Sequence, residues 1–550
     1  MGQLPLNSRI RSIYEKLLIE NNRNTSSTDE NQNNNENGTT ATSNTNAIGT
    51  EGIFKRSIEP TMFIGTHGQL SSAIAYLNPG PSLSTSPSSS TTIQLTEIIT
   101  SSYDGAEIVL DWEIPNCSFG YEEFNSTTIK QQQHIRTPIV LILHGINNSS
   151  AFGYMKSFAR TFTNRGWYAV SMNYRGVGGS GRLMTTPRGY TAAYTGDVRS
   201  IVAQLSARFV SLNDSDTIDT DTVDDTTIVA HPYLFIVGNS LGANLVTKYL
   251  GEEGFANTLP TQVLGGVSLG NPFLFHADGI QFPYNYLIGS ARKYNYFCQR
   301  SAMNNQIQIN NNNTNTNTNV ATNRDLSLSS LDRTLSSTMI RNSKYPPYET
   351  IIGYGHNPQK KTKNQQETTT TDTDSAAVAA AAAETATVEY WSDSSCYQQQ
   401  RHITIPFLHI VAQDDYLCYP SAQRALPYTL PSNPNIIYVE TPCGGHLGWQ
   451  YNKKKKYTNE SQNNHQQQQQ HQHSPKSKSL SKLLLGDSWA EDATADFFQA
   501  IIDTQREDQE KKKRILRRKK QKCDSERKPT RQQQTRNRKQ QQQQQQQQQS

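Results

Sequence analysis

Apolar positions along the chain gather into short unbroken runs separated by polar or helically spaced stretches. Pro138–Leu143 is the first run and stops at His144-Gly145. Trp167–Met172 stops at Asn173-Tyr174-Arg175-Gly176, and Tyr233–Val237 leads into Gly238. Val263–Leu269, Phe407–Val411 and Asn435–Val439 follow. Runs this short, bounded by glycine and small polar residues, suit strands of a parallel sheet buried on both faces. Between them, Tyr154–Arg165, Ala192–Phe209 and Ala243–Leu250 space their apolar residues as helices do. Strand–helix alternation predicts an α/β class domain, a mostly parallel sheet with helices on both faces.

Long polar segments interrupt this pattern. Residues 21–50 are rich in Asn, Thr and Ser, 211–228 in Asp and Thr, and 304–323 in Asn and Thr. Residues 356–387 run from Thr to Ala, and 453–479 carry Lys, Gln and His. None offers the apolar surface needed to offset the entropy of ordering, so each reads as a disordered insert. The 550 residues therefore divide into an N-terminal segment at 1–50, partly disordered, one interrupted domain at 51–503, and a disordered basic and poly-Gln tail at 504–550. Hydrophobic residues make up only 34% of the chain, and the mean hydropathy is −0.70. No apolar run approaches the roughly 18 residues of a spanning helix, and Ala376–Ala383 is far too short. The first residues lack the order of a secretory signal.

The net charge of +5 is an average that hides a cluster. Lys511–Arg518, with Lys519, Lys520 and Lys522, concentrates positive charge in the tail. Such a run is a solvated tail or a nuclear-import or anionic-surface patch. For the domain itself no nucleic-acid partner is expected. Six cysteines (Cys117, Cys298, Cys396, Cys418, Cys443, Cys523) show no CxxC and no Cys/His metal spacing. This pattern points to a reducing, intracellular compartment and no structural zinc.

The chemistry begins where the third run ends. Gly238-Asn239-Ser240-Leu241-Gly242 is G-x-S-x-G between a predicted strand and a predicted helix, the setting a nucleophilic serine on a tight turn requires. Glycines two residues either side leave room for the turn, and the helix N-terminus favours developing negative charge. A serine hydroxyl needs a base, and the base an orienting acid. The fifth run ends in the acidic pair Asp414-Asp415. The sixth ends in Gly444-Gly445-His446. Both follow strands, at the edge of the sheet where open α/β folds bind ligands. The Leu241 amide is one expected oxyanion donor and the Ile146 amide, on the loop after the first run, the other. His144 reads as a loop-shaping residue, and His409, inside an apolar run, as a core histidine.

These stretches resemble the α/β-hydrolase-domain proteins of the type 1/2/3 group, the YheT-like esterases and the medium-chain ester synthase-esterase family. The matching pieces are His67–Leu70, Asp104-Gly105, Leu110–Trp112, Asn173–Ser180, Thr186–Arg188 and Tyr194–Asp197. They continue through Gly238–Ala243, Gly270–Pro272, Leu331–Arg333, Gly353-Tyr354, Tyr390-Trp391, Ser394-Ser395, Asp414-Asp415 and Gly444–Trp449. The resemblance implies an α/β-hydrolase fold with a cap region, and a triad of Ser240, Asp415 and His446. Asp415 is chosen because the family's acid is the second of the pair. Tyr416 departs from the pattern, since several members have proline there.

What the resemblance implies is a serine hydrolase cleaving carboxylic esters of lipid-like substrates: monoacylglycerols, medium-chain esters or phospholipid acyl chains. The same triad would serve an alcohol O-acyltransferase making medium-chain esters, and a non-catalytic binding protein on a hydrolase fold is the reading from a different class. Phe273, Phe275, Phe282, Tyr284 and Tyr286 either line an acyl pocket or pack a cap over the sheet. The expected location is cytoplasmic or peripherally membrane-associated.

Overall fold

The computed structural model describes residues 10–13, 65–77, 92–115, 137–177, 185–186, 189–207, 233–306, 325–335, 372–429, 433–451 and 487–548. The inserts at 211–228 and 453–479, the segment 21–50, and most of 304–323 and of 356–371 lie outside them, as do Gly353-Tyr354 and Pro187-Arg188. The chain divides into two compact units, Met1–Phe498 and Gln499–Ser550.

In the first unit the predicted runs become the parallel strands of one sheet. They are β3 (Ile139–Leu143), β4 (Tyr168–Met172), β5 (Leu234–Asn239), β6 (Val263–Leu269), β7 (Phe407–Ala412) and β8 (Ile436–Thr441). Two strands precede them, β1 (Thr92–Thr100) and β2 (Glu107–Pro115), giving the order β1-β2-β4-β3-β5-β6-β7-β8. β1–β2 and β2–β4 are antiparallel and the remaining pairs parallel. β1 escaped the reading of apolar runs because it alternates exposed and partly buried positions, and β2, though largely buried, because Asp111 and Glu113 interrupt its apolar residues. An edge strand with one solvated face reads as β1 does. This is the α/β-hydrolase fold.

The helices follow from the same pattern. They are α1 (Gly68–Leu77), α2 (Gly153–Thr163), α3 (Gly196–Ala207), α4 (Leu241–Ala256) and α5 (Tyr284–Gln306). After them come α6 (Leu328–Leu335), α7 (Asp372–Ser394), α8 (Tyr419–Thr429) and α9 (Trp489–Gln547). From Leu241 to Glu253 every residue of α4 is buried, so this helix sits inside the layers. Its one cation, Lys248, is 1% exposed and is held by the Asp393 carboxylate at 3.0 Å and Glu252 at 3.3 Å. Arg175, on the loop after β4, is likewise buried. It donates to Asp197 at the start of α3 (Nε to Oδ2, 2.8 Å) and to Asp104 in the β1–β2 turn (2.7 Å). One guanidinium thereby joins a turn, a loop and a helix that lie far apart in sequence.

Two polar segments differ from expectation. The Ala-rich end of 356–387 forms part of α7, and the tail after 504 is helical to Gln547. Alanine is the best helix former, and Lys, Arg, Glu and Gln follow closely, so a segment without a core can still coil. Among the described residues no helix is long and apolar enough to cross a membrane.

A histidine lies buried in the core without a polar partner among the described residues. His409, in the middle of β7, is 1% exposed, and neither ring nitrogen has a hydrogen-bond partner among the described residues. The Phe273 and Phe407 rings each pack edge-on at 4.8 Å from it. Burial lowers its pKa from 6.5 to about 3, so the folded state holds it neutral while the unfolded chain protonates below 6.5. Stability is therefore complete above pH 6.5 and is lost as pH falls from there toward 3. His409→Leu should remove a loss of about 2 kcal/mol at pH 5 relative to pH 7. Urea unfolding of both forms at the two pH values reads this as a difference of differences. An equal acid loss in wild type and variant would refute it.

Candidate active site

β5 delivers Asn239 to its last position, and Ser240 forms the turn into α4. The Ser240 backbone sits at φ 54°, ψ −113°, outside the ordinary regions for a residue with a Cβ. Strain of this kind costs on the order of 1–3 kcal/mol and persists only where the surroundings impose it. Here the Ser240 N–H donates to Leu269 O of β6 at 2.8 Å. The flanking glycines explain the motif's spacing. A Cβ on Gly238 would fall on the carbonyl of Gly242, and one on Gly242 would stand 2.7 Å from Leu143 O and 2.8 Å from His144 O.

His446 and Asp415 arrive from the other half of the sheet. His446 Nε2 lies 2.9 Å from Ser240 Oγ, and His446 Nδ1 lies 2.9 Å from Asp415 Oδ2. The network assigns the proton to Nδ1, with the serine hydroxyl donating to Nε2. Asp415 uses its second oxygen to accept the Leu417 and Cys418 amides at 2.9 and 3.0 Å. All three groups are buried, Ser240 at 7%, Asp415 at 2% and His446 at 1% exposure. Of the acidic pair, Asp415 meets the imidazole. Asp414 instead accepts the Gly445 N–H at 2.7 Å, and burial raises its pKa. A hydroxyl, an imidazole and a carboxylate in this chain let the imidazole take the serine proton while the carboxylate stabilises the resulting cation.

The loop holding His446 rests on α1, whose role in the site had no signal in the sequence. Ser72 Oγ accepts the His446 N–H at 2.6 Å and donates to Gly68 O at 2.6 Å. Ser71 Oγ donates to Gly444 O at 2.9 Å, and Gln450 Nε2 donates back to Ser71 O at 3.2 Å. Gly445 has φ 59°, and a Cβ there would strike Gly68 O. The Ser72–His446 contact spans 374 residues, which no local pattern reveals.

The turn after β3 is tied down on both sides. The Tyr154 hydroxyl accepts the Gly145 N–H and the Asn148 side-chain amide, each at 3.0 Å, and burial pushes its pKa up to about 12. The Asn147 N–H goes to the Tyr190 hydroxyl at 3.2 Å and the Asn148 N–H to Gly145 O at 3.4 Å. The Ile146 amide has no such acceptor among the described residues, and Leu241 opens α4, where an N–H has no intrahelical acceptor. Ile146 and Leu241 line the same cavity as Ser240. His144 shapes the turn: fully buried, with its pKa lowered by burial to about 4, it donates from Nδ1 to Gly145 O at 2.7 Å. Its Nε2 accepts the Tyr174 N–H at 3.3 Å.

The cavity over Ser240 has mostly apolar walls, among them Leu274, Phe275, Ile280, Leu328, Trp391 and Leu417. Of the five aromatic residues expected either to line an acyl pocket or to pack a cap over the sheet, Phe275 lines the cavity. Phe273 is fully buried in a core cluster, Tyr284 packs on Tyr416 at 4.1 Å, and Phe282 and Tyr286 are exposed. Among the described residues, Asp415, Cys418 and His446 are a grouping of metal-type donors. The acid and base are already hydrogen-bonded to each other, and burial holds the Cys418 thiol well above its ordinary pKa. That donor set suits a proton relay better than an ion.

The chain is similar in sequence to several known proteins. The chain is 25% identical to embryogenesis-associated protein EMB8 of Picea glauca, over 63% of this chain and 59% of that one. It is 25% identical to a monoacylglycerol lipase of Saccharomyces cerevisiae (57% and 55%) and 23% identical to human phospholipase ABHD3 (63% and 64%). The match thus spans roughly three-fifths of the length of these curated relatives. The family model described as Hydrolase_4, serine aminopeptidase S33, covers residues 135–441, from the strand before the Ile146 turn to the end of β8. With more than half its length matched by that model, the chain belongs to the Hydrolase_4 (serine aminopeptidase S33) family of α/β-hydrolases.

Proposed function

We propose that this protein is a serine hydrolase that cleaves carboxylic esters of lipid-like substrates through an acyl-enzyme. The observation that carries this reading is the hydrogen-bonded chain Ser240–His446–Asp415 opening into an apolar cavity. A shielded site with a pre-aligned base raises the nucleophilicity of a hydroxyl, and apolar walls favour an acyl chain. Two relatives bear the names monoacylglycerol lipase and phospholipase, which is the same substrate class.

In this mechanism His446 Nε2 takes the Ser240 proton as Oγ attacks the ester carbonyl. The Ile146 and Leu241 amides hold the oxyanion, and Asp415 stabilises the imidazolium. His446 then protonates the leaving alcohol. Water, activated by the same imidazole, releases the acid and restores the serine. Peripheral contact with a lipid surface fits such substrates.

A fluorophosphonate probe tests the nucleophile. Wild type should label and hydrolyse a medium-chain ester. Ser240→Ala should abolish labelling, and Ser240→Ala or His446→Ala should lower kcat by about 10⁴-fold or more. Folded wild type that neither labels nor turns over esters would overturn the proposal. The α1 buttress generates a second expectation. Ser72→Ala removes the acceptor of the His446 N–H, so kcat should fall about tenfold with KM unchanged. Stability should drop by about 1 kcal/mol. An unchanged kcat with the same loss of stability would make Ser72 a structural residue only.

A further inference from the structure

The cavity over Ser240 is apolar except for a few groups, and one of these is a carboxyl. Asp332 lies on α6 between the buried Leu331 and the exposed Arg333, and its side chain forms part of the cavity wall. Trp391 Nε1, from α7, donates to Asp332 Oδ2 at 3.0 Å. Among the described residues that is the side chain's one hydrogen bond, and Oδ1 has no partner among them. Arg292 acts on the carboxylate only at a distance, lowering its pKa slightly. Its own guanidinium donates to Tyr190 O at 2.7 Å and stacks over the Tyr190 ring at 3.9 Å.

An acidic group in this position is costly. Shielding from bulk water raises its pKa to about 6, and a cavity meant only for hydrocarbon would be better walled by leucine. Sharing a cavity with Ser240, Asp332 faces a part of the bound ester other than the carbonyl under attack. Its unpartnered oxygen is an acceptor, so the substrate must supply a donor. A cation is disfavoured because the Arg292 charge already bears on the same carboxylate; a neutral hydroxyl remains.

We infer that Asp332 is a specificity-determining residue of this cavity, its Oδ1 accepting a hydrogen bond from a hydroxyl carried by the ester substrate. The inference rests on the esterase reading above and extends it to a substrate class, hydroxyl-bearing esters over fully alkylated ones of equal chain length. The hydroxyl sits either on the alcohol portion, as in a partial glyceride, or on the acyl chain. Sites built to bind a substrate hydroxyl reject the analogue lacking it, because their own polar group is left unpaired.

The test measures kcat/KM for three substrates of one acyl length: a monoacylglycerol, the ethyl ester, and the ethyl ester of the ω-hydroxy acid. Asp332→Leu should lower the ratio of the preferred hydroxylated substrate to the plain ethyl ester by about tenfold to a hundredfold. The ethyl ester has no hydroxyl contact to lose, so its own kcat/KM should fall by less than that of the hydroxylated substrate. Asp332→Asn, which keeps an acceptor for the Trp391 indole, guards against loss of folding and should lower the ratio several-fold. Which hydroxylated substrate responds identifies the portion recognised. If wild type cleaves all three and either variant slows them equally, Asp332 is a structural tie to Trp391 and the inference is overturned, with the esterase reading intact. Wild type that cleaves none overturns both.

Discussion

The site depends on the close approach between the first turn of α4 and the end of β3. Gly242 meets the carbonyls of Leu143 and His144 with no room for a side chain, and this contact holds Ser240 in its left-handed turn. The strain there is offset by the strand hydrogen bond from Ser240 to Leu269 and by a helix buried along thirteen consecutive residues. The same contact sets the Leu241 amide beside the Ile146 turn, at the carboxyl edge of the sheet. Preorganisation of this kind matters because a donor already in place costs nothing to reorient when charge develops.

His446 is held by a second set of contacts, independent of the first. Parallel pairing of β7 with β8, in register from Phe407↔Ile436 to Ala412↔Thr441, brings the acid and histidine loops out at the same edge. Asp414 and Asp415 then divide the work: one fixes the backbone of the histidine loop, the other the imidazole. α1 closes the arrangement from outside the sheet through Ser71 and Ser72. His446 thus donates from its ring to Asp415 and from its backbone to Ser72, groups on elements far apart in the chain.

Cavity walls come mainly from the segment between β6 and β7, where the chain leaves the sheet through α5, α6 and α7. Apolar walls favour an acyl chain over water, and burial of the surrounding polar groups holds His144 and Tyr154 neutral around neutral pH. Asp332 is the acidic exception on that wall. Its tie to Trp391 joins α6 to α7, so the group that reads the substrate also links the two helices that frame the cavity.

The sheet was legible because a strand buried on both faces must be apolar throughout, and each such run appears in the sequence as an unbroken string. The order Ser, Asp, His was legible because all three stand directly after such strings. Edge strand β1 was not, since alternation with a solvated face dilutes the signal, nor was the internal β2, whose apolar residues are interrupted by Asp111 and Glu113. The helical course of the Ala-rich segment and of the tail was missed because a judgement of disorder from the lack of core-forming surface ignores helix propensity. The sequence by itself determined the fold class, the turn that carries Ser240 and the loops that carry Asp415 and His446, since local backbone demands and burial leave marks on neighbouring residues. Tertiary structure alone decided that Ser72 holds His446, that Phe275 lines the cavity while Phe273 packs beneath it, and that Asp332 stands on the wall shared with Ser240. Contacts between residues hundreds of positions apart arise from packing, and packing leaves no local periodicity to read.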